Sequence, residues 1–217
     1  MNLKAIIFDM DGVILNSEPI YYTVQMKFFR ELGIDVSDEE YSTFVGLSQT
    51  AMWERILKKT KIDESLENIL EKNNQRNYDH FSKLENLEPT PGLLDFIQYI
   101  KNKELKIAVA SSTTKKLVNL ILEKLLIKHF FDVIVSGNEI KHGKPAPDIF
   151  LKSAELLNVK PGKCLVIEDS SNGVKAAKSA GMKCIGFAKF DPGGQDLSFA
   201  DLIVQDYDQI MRYISES

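Results

Sequence analysis

Six short apolar runs set the terms on which this chain can fold. LKAIIFD (3–9), LKIAVASS (105–112), FFDVIVSG (130–137), KCLVIED (163–169), MKCIGFA (182–188) and ADLIV (200–204) carry apolar residues in unbroken blocks, and most end at a polar or charged residue. Runs of this length without alternation suit parallel strands buried on both faces. Helical patterns lie between them. PGLLDFIQYIKNK (91–103) follows Thr90, a suitable N-cap, and puts Pro91 at the first helical position. TTKKLVNLILEKLL (113–126) repeats apolar residues at Leu117, Leu120, Ile121 and Leu125. PDIFLKSAELLN (147–158) again opens on Pro, and NGVKAAKSAG (172–181) ends in Gly181, a natural C-terminal cap. Strands alternating with helices specify an α/β fold with a doubly wound parallel sheet.

One stretch breaks the alternation. Residues 18–86 contain no strand-like run and read as helical almost throughout. Ser37 with Glu40 fits a capping box, and WERILKK (53–59) and the stretch from Ser65 to Phe81 have helical spacing. The alternation resumes cleanly at residue 90, so an inserted helical domain is expected over residues 17–88, with the α/β core made of residues 1–16 and 89–217. A single irregular mixed domain is the plainer alternative.

Composition narrows the function. With 44% apolar residues in 217 there is ample material for a core, and a net charge of -4 with interspersed signs gives no basic footprint for nucleic acid. No apolar stretch approaches the roughly 20 residues that span a bilayer, and MNLKAIIFDMDG is too short and too acidic for a signal peptide. Cys164 and Cys184 sit in apolar runs, where buried reduced thiols are expected. A cytoplasmic protein with no membrane or nucleic-acid partner follows.

The polar residues at the strand ends carry the chemistry. Asp9 and Asp11 follow AIIF directly, where ligands bind in open α/β sheets. By itself D-x-D-G also fits a solvated loop or a calcium-like turn. Glu168 and Asp169 repeat the pattern after CLVI. Four carboxylates converging there would raise one another's pKa, and a divalent cation resolves the conflict; oxygen-only donors point to Mg²⁺. Ser111, Ser112 and Thr113 precede a helix, where hydroxyls and free N–H groups form an anion site or merely cap the helix. GKPAPDIF (143–150) holds Lys144 between prolines, where it is either solvated or set on a phosphate. A nucleophilic carboxylate, a second carboxylate, hydroxyls at a helix start, a lysine and an acidic pair, in that order, meet the requirements of phosphoryl transfer.

This order resembles the haloacid dehalogenase (HAD) superfamily, in its phosphatase and β-phosphoglucomutase-like branch with a helical cap. The four motifs are FDMDGVILNSE (8–18), AVASS (108–112), GKPAPDIF (143–150) and VIEDSSNGVKAAKSAG (166–181), and the resemblance covers almost the whole chain. It implies a Rossmann-like core and a Mg²⁺-dependent phosphatase acting on a small phosphorylated metabolite. By the same resemblance Asp9 is the nucleophile that forms an aspartyl-phosphate, and Asp11 the general acid/base. Ser111, Ser112 and Lys144 hold the phosphate, with Ser111 and Lys144 in the catalytic set. Asp9, Asp11 through its backbone carbonyl, Asp169 and Glu168 form the metal site, Glu168 either directly or from behind. The loop Gly46-Leu47-Ser48-Gln49 matches the family's substrate loop, although a helix–helix turn with Ser48 as N-cap fits it equally well.

Three departures bear on a mutase. Where such mutases carry an Arg after the cap-loop Ser, this chain has Gln49. Tyr21 stands about where they have a His, and Thr113-Thr114-Lys115 where they favour Ser-Lys-Asn. Gln cannot replace a bidentate phosphate fork, so a phosphatase is expected over a sugar phosphomutase. Arg55, Arg76, Lys115 and Lys116 are the candidates for a distal charge from elsewhere. A catalytically idle regulatory module on the same fold is opposed by the intact set of site residues. A monomer or weak dimer is expected.

Overall fold

The computed structural model describes residues 2–190 and 194–216. Its centre is a six-stranded sheet of β1 (Ala5–Phe8), β2 (Lys106–Ser111), β3 (Val133–Ser136), β4 (Cys164–Glu168), β5 (Lys183–Phe187) and β6 (Leu202–Val204). All neighbours are parallel, in the order β3-β2-β1-β4-β5-β6. Every apolar run noted above contains one strand. β1 lies between β2 and β4, so the order reverses beside it, and that switch point opens a crevice at the carboxyl ends of the strands.

The sheet is covered on both faces, which explains the unbroken apolar runs. Alternate residues of β1 go to opposite sides. Ile6 and Phe8 join α5 (Leu93–Asn102), α6 (Lys115–Lys124) and α9 (Tyr207–Ser215), while Ala5 and Ile7 join α7 (Asp148–Leu157) and α8 (Ser171–Ser179). Cys164 and Cys184 are buried free thiols in β4 and β5, as expected. None of the helices among the described residues is long and apolar enough to cross a membrane.

Between β1 and α5 the chain forms an inserted helical cap of α1 (Glu18–Glu31), α2 (Asp38–Ser42), α3 (Gln49–Leu57) and α4 (Leu66–Lys83). Its own apolar centre is Trp53, with Phe28 and Phe29 at ring distances of 5.2 and 5.3 Å. The two segments that cross between cap and core are joined to each other, Thr90 N donating to Ile14 O at 2.7 Å. That bond also explains a difference at α5. Thr90 does not cap the helix; the N-cap is Gly92, in the left-handed region at φ 86, because residue 90 is held in the crossing pair. Pro147 likewise sits at the N-cap of α7, one residue before the helix proper. The capping box at α2 is half formed. Ser37 Oγ accepts from Glu40 N at 3.1 Å, but the Glu40 carboxylate turns to Lys59 Nζ at 2.9 Å.

Tyr207 ties α9 to the turn after β1. Its fully buried hydroxyl donates to Val13 O at 2.9 Å. Tyr207→Phe keeps the ring and leaves that carbonyl unsatisfied, which costs about 1–2 kcal/mol. The melting temperature should fall by about 2–6 °C, measured by circular dichroism. An unchanged melt would mean that the carbonyl finds another donor.

Candidate active site

The strand ends of β1 and β4, side by side, bring two acidic pairs together. Asp9 N donates to Ile167 O at 2.9 Å, so the nucleophile candidate sits in register with the end of β4. The chain then turns sharply. Gly12 adopts φ 72, and its N donates to Leu15 O at 2.9 Å. A Cβ on Gly12 would lie 1.8 Å from Asp169 Oδ2, so only a glycine there lets the Asp169 carboxylate fold onto the Asp9–Asp11 turn.

Lys144 reaches this cluster from the loop before α7, where its peptide bond to Pro145 is cis. Its ammonium donates to Asp9 Oδ1, to Glu168 Oε1 at 2.6 Å and to Ala110 O at 3.3 Å. The Lys144 side chain is 7% exposed, which excludes a solvated lysine. The Glu168 carboxylate is fully engaged: Oε2 accepts from Ser170 N at 2.7 Å and Ser170 Oγ at 2.9 Å while Oε1 holds Lys144. Gly173 makes room for it, since a Cβ there would fall 1.6 Å from Glu168 Oε1. Asp11 is bound differently. Ser17 Oγ donates to its Oδ1 at 2.6 Å, and Tyr21 Oη lies beside the same carboxyl and 3.3 Å from Thr113 Oγ1. The contacts of Ser17 and Tyr21 leave no pattern in the sequence.

Electrostatics follow from burial and crowding. Burial pushes Asp9 up to about 8, with Lys144 opposing and the charges of Glu168 and Asp11 adding. Asp11 is raised by burial, with the Ser17 hydrogen bond and Lys144 opposing. Asp169 is raised well above the usual range by burial and then by Glu168, Asp9 and Asp11. Burial pulls Lys144 down, but Asp9 and Glu168 more than reverse it, so the ammonium stays charged.

A cavity of about 670 Å³ lies over these groups, between the cap and the strand ends. Asp9, Asp11, Lys144, Glu168 and Asp169 line its floor. The cap loop reaches it too: Gly46, Leu47, Ser48 and Gln49 are all on its wall. Ser48 is also the N-cap of α3, its Oγ accepting from Ala51 N at 3.1 Å, so the helix–helix turn expected for that loop is present on the cavity wall. Ser112, Thr113 and Thr114 line the cavity, whereas Ser111 is fully buried and its Oγ accepts from Thr113 N at 3.2 Å. Thr114 is the N-cap of α6 but makes no side-chain cap bond, so the hydroxyls here are not all taken up by capping. A second cavity of about 680 Å³, between α4 and the start of α6, holds none of the strand-end carboxylates.

Among the described residues that line the site cavity, Lys144 is the only cation. The candidates for a distal charge are engaged elsewhere. Arg55 lies over the Phe44 ring, and Arg76 over Phe28 with an ion pair to Glu31. Lys115 pairs with Glu139, and Lys116 lies over Tyr78. From the core, Asn172 Nδ2 donates to Gly46 O at 3.1 Å and Gln195 Nε2 to Val45 O at 3.4 Å, joining the cap loop to the start of α8. Sequence periodicity carries no trace of these long-range contacts.

The chain is similar to known proteins in sequence and fold. The family model described as haloacid dehalogenase-like hydrolase matches residues 6–187. A phosphorylated carbohydrates phosphatase of Thermotoga maritima is 35% identical over 183 residues, 84% of each chain. A β-phosphoglucomutase of Bacillus subtilis is 33% identical over 208 residues, 94% of this chain and 89% of that one. The crystal structure of CbbY from Rhodobacter sphaeroides in complex with xylulose-1,5-bisphosphate superposes with a TM-score of 0.85 at 27% identity, covering 94% of this chain and 95% of that one. The site geometry, the family match and the two relatives above 30% identity lead to one conclusion: this chain belongs to the haloacid dehalogenase-like hydrolases.

Proposed function

We propose that this protein is a Mg²⁺-dependent phosphatase that hydrolyses a small phosphorylated metabolite through an aspartyl-phosphate at Asp9. The observation that carries this is the buried bridge from Lys144 to Asp9 and Glu168, set beside Asp11 on the floor of a cap-covered cavity. Asp9 attacks phosphorus, the bond from phosphorus to the ester oxygen breaks, and Asp11 gives its proton to that oxygen. Asp11, now a carboxylate, takes a proton from water, and the water oxygen attacks the aspartyl-phosphate, releasing inorganic phosphate and Asp9. A raised pKa suits the first role of Asp11, and the Ser17 hydrogen bond holds its carboxyl in place. Lys144 holds a phosphoryl oxygen, with the hydroxyls of Ser112 and Thr113 on the cavity wall; Ser111 positions Thr113 from beneath.

The donor set fits Mg²⁺. Four carboxylates face a single ammonium, and all the donors are oxygens. Among the described residues no three His, Cys, Asp or Glu side chains gather to hold an ion by themselves. Asp9, Asp169 and the carbonyl of Asp11 would hold Mg²⁺, with water and substrate phosphate completing the shell, a common arrangement for this ion. Bound there, Mg²⁺ supplies the positive charge that keeps Asp9 ionised and offsets charge on the phosphoryl group. Glu168, saturated by Lys144 and Ser170, acts from behind the ligands.

A mutase must grip a bisphosphate at both ends. Gln49 on the cavity wall, and the absence of Arg55, Arg76, Lys115 and Lys116 from the lining of that cavity among the described residues, favour hydrolysis. The resemblance to the Bacillus β-phosphoglucomutase keeps that activity as the comparison to test.

Purified protein with Mg²⁺ should release phosphate from p-nitrophenyl phosphate. Asp9→Asn should lose at least about a thousandfold in kcat with an unchanged melt, and a chelator should abolish wild-type turnover until Mg²⁺ is restored. Retained activity in either case would overturn the mechanism. Given β-glucose 1-phosphate with a trace of the 1,6-bisphosphate, free phosphate should form faster than glucose 6-phosphate; the reverse would make this a mutase. Gly173→Ala separates site from scaffold. Replacing a helical glycine ordinarily stabilises by up to about 1 kcal/mol, but the new methyl displaces Glu168. We expect kcat to fall at least about tenfold. Undiminished kcat would show that Glu168 does not position Lys144.

A further inference from the structure

The motif GKPAPDIF (143–150) brings Lys144 to the site, but its last residues, Asp148, Ile149 and Phe150, have no part in the phosphoryl chemistry above. They open α7. The Lys144 ammonium donates to Asp9, Glu168 and Ala110 O, and the ring of Phe150 lies 5.1 Å from it, within cation–π range. Phe150 is fully buried. The tip of the lysine therefore meets groups held by strand ends and by the core. Its root is held differently. Residues 140–147 form neither strand nor helix. Pro145 and Pro147 fix two φ angles, and Ala146 N donates to Gly143 O at 3.0 Å, a turn that contains Lys144. Asp148 joins the ends of this loop. His142 N donates to its Oδ1 at 3.2 Å, and His142 Nδ1 lies 3.0 Å from the same oxygen. One carboxylate oxygen thus closes residues 142–148 into a ring, with Lys144 inside it.

The surroundings of this carboxylate narrow its role. Asp148 is not among the described residues that line the site cavity, so it does not touch substrate. Its side chain is 29% exposed and that of His142 60%, and contacts so open to water add little to stability. An acid in the first turn of a helix favours the helix dipole, but charge alone would do that without reaching back to a main-chain N–H across the loop. We infer that Asp148 is a positioning residue for Lys144. By closing the loop it sets where the backbone of Lys144 stands relative to Asp9 and Glu168. A lysine stem is long and flexible, so a loosened root lets the ammonium leave the point where it meets both carboxylates and a phosphoryl oxygen. This rests on the phosphatase proposed above, in which Lys144 holds that oxygen.

The test follows turnover of 2,4-dinitrophenyl phosphate with Mg²⁺ present, an ester reactive enough for weakened variants to be measured. Asp148→Ala should lower kcat at least about tenfold. Asp148→Asn keeps an oxygen for His142 N and removes the charge, and it should stay within about threefold of wild type. Equal losses in the two would place the effect in the charge at the start of α7 and overturn the role, as would an undiminished kcat in Asp148→Ala. Asp148→Ser, whose hydroxyl is too short to reach His142, replaces the Ala variant if that one does not fold. A double variant separates positioning from scaffolding. With Lys144→Ala as the background, Asp148→Ala should change kcat less than about twofold, because a residue that acts through Lys144 then has nothing to place. A further loss of about tenfold in that background would mean that Asp148 serves the fold at large, and would overturn the inference. Wild-type protein that releases phosphate from no ester would instead overturn the phosphatase, and the role of Asp148 with it.

Discussion

Lys144 Nζ lies between the carboxylates of Asp9 and Glu168, with the three side chains 7%, 8% and 1% exposed. Burying ions is costly, and the cost is recovered only when partners are close and the remaining lone pairs are satisfied. Both conditions hold for Glu168, which accepts from Ser170 N and Oγ as well as from Lys144. They hold only in part for the cluster as a whole, because burial raises Asp11 and Asp169, so ionising all four acids beside one ammonium is costly. The centre of the molecule therefore gathers more acids than one ammonium could balance if all of them ionised.

The rest of the fold supplies the positions. β1 and β4 are neighbours in the middle of the sheet, so Asp9 and Glu168 leave adjacent strand ends without further arrangement. β2 delivers Ser111 and Ser112 on the other side of β1. The chain is then packed around the carboxylates to within contact. Gly12 and Gly173 mark positions where even a methyl group would collide with Asp169 and Glu168. Rotamers of the two acids are thus limited by backbone rather than by flexible side chains, which suits groups that must hold their geometry while charge moves.

Much of this was legible in the sequence, for a physical reason. Strands buried on both faces leave unbroken apolar runs, and the polar residue that ends each run marks the crevice. Both signals are local, so the six strands, the cap and the strand-end residues could be read directly. What escaped depends on residues far apart in the chain. Asp11 with Ser17 belongs to a turn whose shape Gly12 sets, and Tyr21 on α1 meets Thr113, 92 residues further along the chain. The start of α5 slipped from Thr90 to Gly92 because Thr90 pairs with Ile14 across the domain crossing. Ser48 shows the opposite case, where one residue satisfies a local rule as N-cap and still lines the site.

Cap and core are joined unequally at their two edges, and this bears on how the cavity admits a substrate. At the crossing, Phe81 belongs to the same apolar cluster as Phe8 and Phe96, and Tyr21 packs on Phe81 at 5.4 Å. Lys124 Nζ adds a 2.7 Å bond to Leu84 O, and Thr90 binds Ile14. At the far edge the cap loop meets the core through amide hydrogen bonds, Asn172 to Gly46 O and Gln195 to Val45 O. Apolar burial is expensive to undo, at about 25 cal/mol per Å². A hydrogen bond exchanged for water costs only about 0.5–1.5 kcal/mol. The crossing is therefore the stiffer edge and the loop the softer one. Gly46 suits the soft edge: at φ 80 it needs no Cβ, and a Cβ there would lie 2.7 Å from Gln195 Oε1. The loop that borders the cavity is thus seated against the core by polar groups that water can replace, Asn172 on α8 and Gln195 beyond β5.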